Sequence, residues 1–417
     1  MWNIILTIFV TVFYEIQGQC LTVQDHKSPQ MNAKQNLYSG EQEFSLNLLR
    51  AVNQLGPNDN LFFSPYSTYH ALLLAYFISG GQTESFLKKT LRLDSSMDKS
   101  DVMNAYKLDK YITQSIAKSN SSYEFTNANR IYVDKGIEIR DCIEDLFREE
   151  FEKANFATNP EGARLTINNW VSQQTHNMIK DLLPPGVIDP QTNLVLVNAG
   201  YFKGSWKYEF NVSNTKEEVF YITPSKQTIV DMMYMEGVLS HDVSDVLDAH
   251  ILELPYKGEE ISMYILLPPF VKEDGVDNTL KKLTPERFQH MIRNHNTLLG
   301  KTVYLSLPKF SLEDTIEMTP ILESLGVGNL FHSDADFSLL SNKQKVSLGA
   351  GVHKARIDVD EKGSEAAAAT ALFTFRMMTD EADDDAVIFK CNRPFIFLLY
   401  NKKTSTIMFI GIYRNPK

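Results

Sequence analysis

The chain has 417 residues, 43% of them apolar and 22% charged, which is enough to build a large core. A formal net charge of −11 argues against general nucleic-acid binding and leaves no global attraction to an anionic membrane. Three cysteines, with no CxxC pair and no Cys/His cluster, make neither a disulfide framework nor a zinc site, so no metal and no cofactor is expected.

Residues 4–14 form an apolar run broken only by threonines, too short for a comfortable membrane span and followed by Glu15-Ile16-Gln17-Gly18. This reads as a secretory signal over 1–18, cleaved near Gly18 or Cys20, although no basic residue precedes the run; a buried N-terminal helix is the alternative. Residues 19–40 are polar and irregular, a flexible extension. If cleavage follows Cys20, only Cys142 and Cys391 remain, and both read as small buried apolar residues. Asn120-Ser121-Ser122 and Asn211-Val212-Ser213 are acceptor sequons, expected to carry glycans on a secreted protein.

Phe44, Leu48, Val52 and Leu55 stand at helical spacing and predict an amphipathic helix over 41–55. The stretch 68–78 is apolar nearly all round, so its helix should be buried. A helical pattern of mixed charge covers 85–119, a strand follows at 125–132, and helices are expected over 142–154 and 165–179, the latter stopped by Pro184 and Pro185. The continuous apolar run 194–199 suits a strand covered on both faces. Beyond it strands dominate, at 251–254, 261–267, 303–307, 353–360, 395–400 and 406–413, with one helix at 319–325. Helices lead and strands follow, which is an α+β class with large, mostly antiparallel sheets in a single domain over 41–417.

No nucleophile elbow, HExxH pair, Walker loop or strand-linked GxGxxG is present, so the chain is not expected to be an enzyme. Asp181 with Asp189, and the acids of 380–385, read as loop charges. The unusual stretch is 361–378. Before it, residues 353–360 alternate His, Ala, Ile and Val with the charged Lys, Arg, Asp and Asp; then Gly363 ends the pattern and Ala366, Ala367, Ala368 and Ala369 follow. Composition alone would make this a helix or a linker.

Long motifs decide otherwise: NLFFSPYS (60–67), FTNANRIY (125–132), INNWV (167–171), DLLPPGVID (181–189), VLVNAGYFKG (195–204) with Trp206, LELPYK (252–257), LPKF (307–310), the run 353–365, and Pro394-Phe395. Through them the chain resembles the serpins from about residue 41 to its C-terminus. The resemblance implies three β-sheets, eight or nine helices and an exposed reactive-centre loop over 361–385. It implies a suicide mechanism in which a serine protease acylates itself on the loop and the cut loop inserts into the main sheet. The hinge would be Glu361, Gly363, Ser364, Glu365 and Ala366 to Ala369. Ser64, Ser67, Asn198 and His353 match the family's shutter, Trp206 its breach, and Lys309 the partner of Glu361. Departures are Gly200, Ile78-Ser79 and Arg393, where the family has a bulky residue, Gly-Ala and histidine.

The residues support insertion independently. Ser364, Ala366, Ala368 and Thr370 would fill one face of an inserted strand, and all are small, uncharged and free of proline. Sixteen steps from Glu361 to Met377 would carry a tether roughly 50 Å at about 3.3 Å per residue. Counting from Glu361 places the reactive bond at Met377-Met378, for an elastase-, chymotrypsin- or cathepsin G-like protease; Arg376 and a trypsin-like protease are the competing reading. A cysteine protease is a further candidate target, and a non-inhibitory carrier or storage protein is the rival. Residues around Lys88, Lys89 and Arg92 leave a weak glycosaminoglycan site open, and a monomer is expected.

Overall fold

The computed structural model describes residues 20–22, 30–119, 122–270, 274–364 and 386–416. Helix α1 (Ala33–Leu55) begins inside the stretch 19–40 expected to be flexible, because Leu37 continues the buried stripe of Phe44, Leu48 and Val52 two further turns back. Helix α2 (Pro65–Ile78) is buried at every residue, so it runs through the core of the molecule. Its start lies three residues ahead of the expected one: Ser64 caps it by accepting from the Ser67 N–H at 3.1 Å, and Pro65 takes the first turn, where a missing N–H costs nothing.

The helical pattern over 85–119 is two helices, α3 (Gly81–Thr90) and α4 (Lys99–Ser119). They part where Arg92 takes φ 53° and Asp94 accepts from the Ser96 N–H at 2.8 Å. The helix expected over 142–154 is also a composite, α5 (Asp141–Leu146) followed by a strand, β3 (Phe151–Ala154). Ile143, Phe147 and Phe151 hold the i, i+4 spacing of a helix, and the Phe151 N–H still donates to Phe147 O at 3.0 Å. The chain then pairs in parallel with β2 (Tyr123–Asp134), Phe151 opposite Ile131. Helix α6 (Pro160–Gln174) lies five residues earlier than the expected 165–179, since Asn159 caps it through Gly162 N–H and Pro160 opens it.

Cysteine usage differs from expectation. Cys20 and Cys142 form a disulfide with Cα atoms 5.8 Å apart, which pins the chain ahead of α1 to the start of α5. Arg140 adds a bond to Cys20 O at 3.2 Å. Cys391 is free and buried, as expected, and burial pushes its thiol well above the usual range.

Six strands make the main sheet, in the order β10 (Phe310–Glu317), β11 (Leu348–Val359), β12 (Gly363–Ser364), β4 (Leu194–Ser205), β2, β3. Nine more form a continuous hydrogen-bonded network: β1 (Leu61–Phe63), β5 (Lys216–Thr223), β6 (Lys226–Ser244), β7 (Ala249–Pro255), β8 (Ile261–Leu267), β9 (Lys301–Pro308), β13 (Val387–Lys390), β14 (Phe395–Asn401) and β15 (Thr406–Tyr413). Strand β6 belongs to two sheets at once, because its first half pairs with β5 and β9 and its second half with β7. Counted at that division the sheets are three. Strands β8, β14 and β15 are buried residue for residue, which explains their unbroken apolar sequences. Helices α7 (Gly275–Lys282), α8 (Pro285–His295) and α9 (Met318–Ser324) bring the described helices to nine.

Candidate functional site

In the main sheet β11 and β4 run parallel and are paired from Leu348↔Leu194 to Arg356↔Tyr201. Beyond Arg356 they separate, and β12 fills the gap. Ser364 lies opposite Val359 of β11 and Gly204 of β4, with Gly363 opposite Ser205, antiparallel to both neighbours. The turn into β12 is tied by Asp360, whose carboxylate accepts from the N–H groups of Lys362 (2.8 Å) and Gly363 (3.1 Å). Gly363 is required by contact: a Cβ there would lie 2.0 Å from Gly204 O. Ser364 is fully buried and shares a hydrogen with the Tyr256 hydroxyl at 2.6 Å. Trp206 stacks on Tyr256 with ring centres 4.4 Å apart and donates from Nε1 to Asp360 O at 2.9 Å.

Glu361 is the best-held residue of this turn. Only 4% exposed, it accepts from Lys309 Nζ at 2.9 Å and Thr215 Oγ1 at 2.8 Å, and its carbonyl accepts from the Phe210 N–H at 2.8 Å. Burial would raise its pKa, but the hydrogen bonds from Lys309, Thr215 and the backbone outweigh burial and hold the carboxyl below its usual range. The same bond raises Lys309.

Midway down the seam a second polar cluster joins β11, β4 and α2. His353 faces Asn198 across the strand pair and is fully buried. Its Nε2 accepts from the Ser64 N–H at 3.0 Å, so Nδ1 carries the hydrogen and donates to Asn198 Oδ1. Burial pushes the imidazole down to about 3. Asn198 Nδ2 donates to Ser67 Oγ at 2.6 Å and to Asn129 Oδ1; Ser67 Oγ donates to Asn127 Oδ1 at 2.6 Å, and Ser64 Oγ to Met408 O at 2.7 Å. Parting β11 from β4 at this level breaks the bond between His353 and Asn198.

The gap between β11 and β4 is thus a strand slot with its first two residues already filled. The family model described as "Serpin (serine protease inhibitor)" matches residues 39–416. The chain is a serpin. Among its curated relatives, serine protease inhibitor 88Ea of Drosophila melanogaster is 38% identical over 93% of this chain and 92% of its own. The leukocyte elastase inhibitor of Sus scrofa is 34% identical over 92% of this chain and all of its own. Among solved structures, uncleaved ovalbumin covers 91% of this chain and all of its own with a TM-score of 0.80 at 26% identity. Serpin48 of the insect Tenebrio molitor gives 0.78 at 27% identity, over 92% of this chain and 99% of its own.

Of the residues named from sequence for this serpin, the structure brings Glu361, Gly363, Ser364, Trp206 and Lys309 together at the top of the seam. It brings Ser64, Ser67, Asn198 and His353 together below it. Glu365, Ala366, Ala367, Ala368, Ala369, Arg376, Met377, Met378 and the sequon residue Asn120 lie outside the described residues. Asn211 is described and exposed. Tyr256, Thr215, Asp360, Asn127 and Asn129 also act in the two clusters without having been singled out. The asparagines carried a signal: two of them two residues apart share one face of a strand, where asparagine is depleted.

The three departures from the family pattern are accommodated. A Cβ at Gly200 would lie 2.9 Å from Ser64 Cβ and 3.1 Å from the Phe409 ring, so glycine admits both. Ser79 donates to Tyr76 O at 2.8 Å, and Arg393 donates to Pro268 O at 2.7 Å.

Proposed function

We propose that this serpin is a secreted inhibitor that traps serine proteases as a suicide substrate, cut at Met377-Met378. The carrying observation is the occupied slot: Gly363 and Ser364 already extend the main sheet between β11 and β4, with Ser364 buried against Tyr256. Counting on from Ser364↔Gly204 at the same register, Ala366, Ala368 and Thr370 would face Phe202, Gly200 and Asn198. On insertion, small uncharged side chains would meet the buried face there. Glu365 would fall on the opposite face, against Lys203. After attack by the protease serine, the acyl bond from the Met377 carbonyl to the serine oxygen persists while the loop inserts, and the enzyme is carried away from its working geometry.

Methionine at the cut suits an apolar primary pocket, and the relatives named leukocyte elastase inhibitor support that class. Secretion is supported by the apolar run 4–14 and by the Cys20–Cys142 disulfide, which belongs to an oxidising compartment. Keeping Cys20 favours signal cleavage near Gly18 over cleavage after Cys20. Glycans at Asn120 and Asn211 complete this reading. Incubation with elastase-, chymotrypsin- and trypsin-like proteases tests it: a complex that survives SDS, with a released peptide beginning at Met378, is expected. A released peptide beginning at Met377 transfers the cut to Arg376, and clean cleavage with no complex removes the inhibitory function.

A further inference from the structure

The segment that follows β4 from Trp206 is stitched to the hinge turn four times. Trp206 N–H donates to Lys362 O and its Nε1 to Asp360 O, both at 2.9 Å; Phe210 N–H donates to Glu361 O and Thr215 Oγ1 to Glu361 Oε1, both at 2.8 Å. Between the last two stitches lies the sequon Asn211-Val212-Ser213. It forms a single 3₁₀ turn, Val212–Asn214, closed by Asn214 N–H to Asn211 O at 2.8 Å and Thr215 N–H to Val212 O at 3.2 Å. Asn211 Oδ1 accepts from both the N–H (3.0 Å) and the hydroxyl (2.8 Å) of Ser213. Its Nδ2, the atom that would bear a sugar, makes no hydrogen bond among the described residues and sits on an exposed side chain.

We infer that a glycan on Asn211 acts as a restraint on the loop hinge, because the turn that carries it is the clasp that holds Glu361. The inference rests on the secretory reading above. Opening the clasp frees an exposed turn of four residues from Asn211 to Asn214, and the gain in chain entropy drives that opening. A bulky hydrated sugar on the turn removes part of the freedom gained, as a proline or a lost glycine does in an unfolded segment, so the clasped state is favoured. The hinge then leaves its slot less often, and uncut loop advances less readily into the seam.

Val212→Pro tests this, with the proline's own stiffening of the turn read separately from bacterial material. It destroys the sequon yet keeps Asn211 and Ser213, and proline is accepted at the first position of such a turn. The full chain and Val212→Pro are each made in a secreting eukaryotic host and in a bacterium, and Asn120 and Asn211 occupancy is read by peptide mass. Hydrogen exchange is then followed at the Trp206 and Phe210 amides and over 361–364. The ratio of Val212→Pro to wild-type exchange is expected to be at least about threefold larger in the eukaryotic pair than in the bacterial pair, where the proline alone stiffens the turn and exchange is equal or slower. An occupied Asn211 with the same Val212→Pro to wild-type ratio in both pairs overturns the inference. Asn120 occupied with Asn211 bare overturns the inference alone, whereas two bare sequons overturn the secretory reading with it.

Discussion

His353 is neutral because it is fully buried, and its two nitrogens are committed, one accepting from Ser64 and the other donating to Asn198. In the unfolded chain it takes a proton near pH 6.5; in the folded chain, only near pH 3. Its contribution to stability is therefore present above pH 6.5 and is lost as the pH falls toward 3. His241, His250 and His295 are lowered by burial as well, so the informative quantity is a difference. The stability gap between wild type and His353→Gln, measured by urea unfolding, should narrow steadily between pH 6.5 and 4; a gap independent of pH would contradict this. Gly363 makes a second residue-scale case. Alanine there cannot keep the register, since its Cβ would stand 2.0 Å from Gly204 O. Gly363→Ala should raise hydrogen exchange at Ser364 and shift the protein from inhibitor toward substrate, read as more serpin consumed per protease trapped. An unchanged stoichiometry would show that the pairing of β12 is dispensable.

Among the elements, α1 and α5 depend on a covalent tie that the cysteine count did not suggest. The Cys20–Cys142 disulfide spans a sequence separation of 122, and closing so long a loop in the unfolded chain is worth up to ~4–5 kcal/mol in the chain-entropy model. Cys142→Ser should lower the urea midpoint accordingly while Cys391→Ser leaves the disulfide in place; equal midpoints for wild type and Cys142→Ser would contradict the assignment. Three cysteines hide a pair, because pairing depends on where the chain brings Cys20, and that is set by contacts such as Arg140 to Cys20 O. Buried, continuously apolar strands such as β8 and β15 were legible, since their composition admits few alternatives. The long hairpin of β5 and β6 was not: its burial is irregular, and β6 changes sheets part-way, so no single period runs through it. The short β3 was masked by phenylalanines at helical spacing. The hinge and shutter were legible through family motifs, whereas Tyr256 and Thr215 earn their roles only from three-dimensional contact with Ser364 and Glu361.

At the scale of the whole molecule, the main sheet is an incomplete structure. Its two central strands are held together by cross-strand bonds from Leu348 to Arg356 and parted above that, with two residues of the hinge already in the gap. A strand that entered fully would gain backbone hydrogen bonds on both edges and bury a row of small side chains, and the proposed mechanism therefore requires the native fold to stand above a more stable one that the uncut loop cannot easily reach. The most direct measurement is the melting temperature of the chain before and after a single cut within 365–385. The cut chain should melt at least ~10 °C higher, several kcal/mol for a domain of this size. A cut chain that melts at the same temperature or lower would mean that the loop does not insert, and the proposed inhibitory mechanism would be wrong.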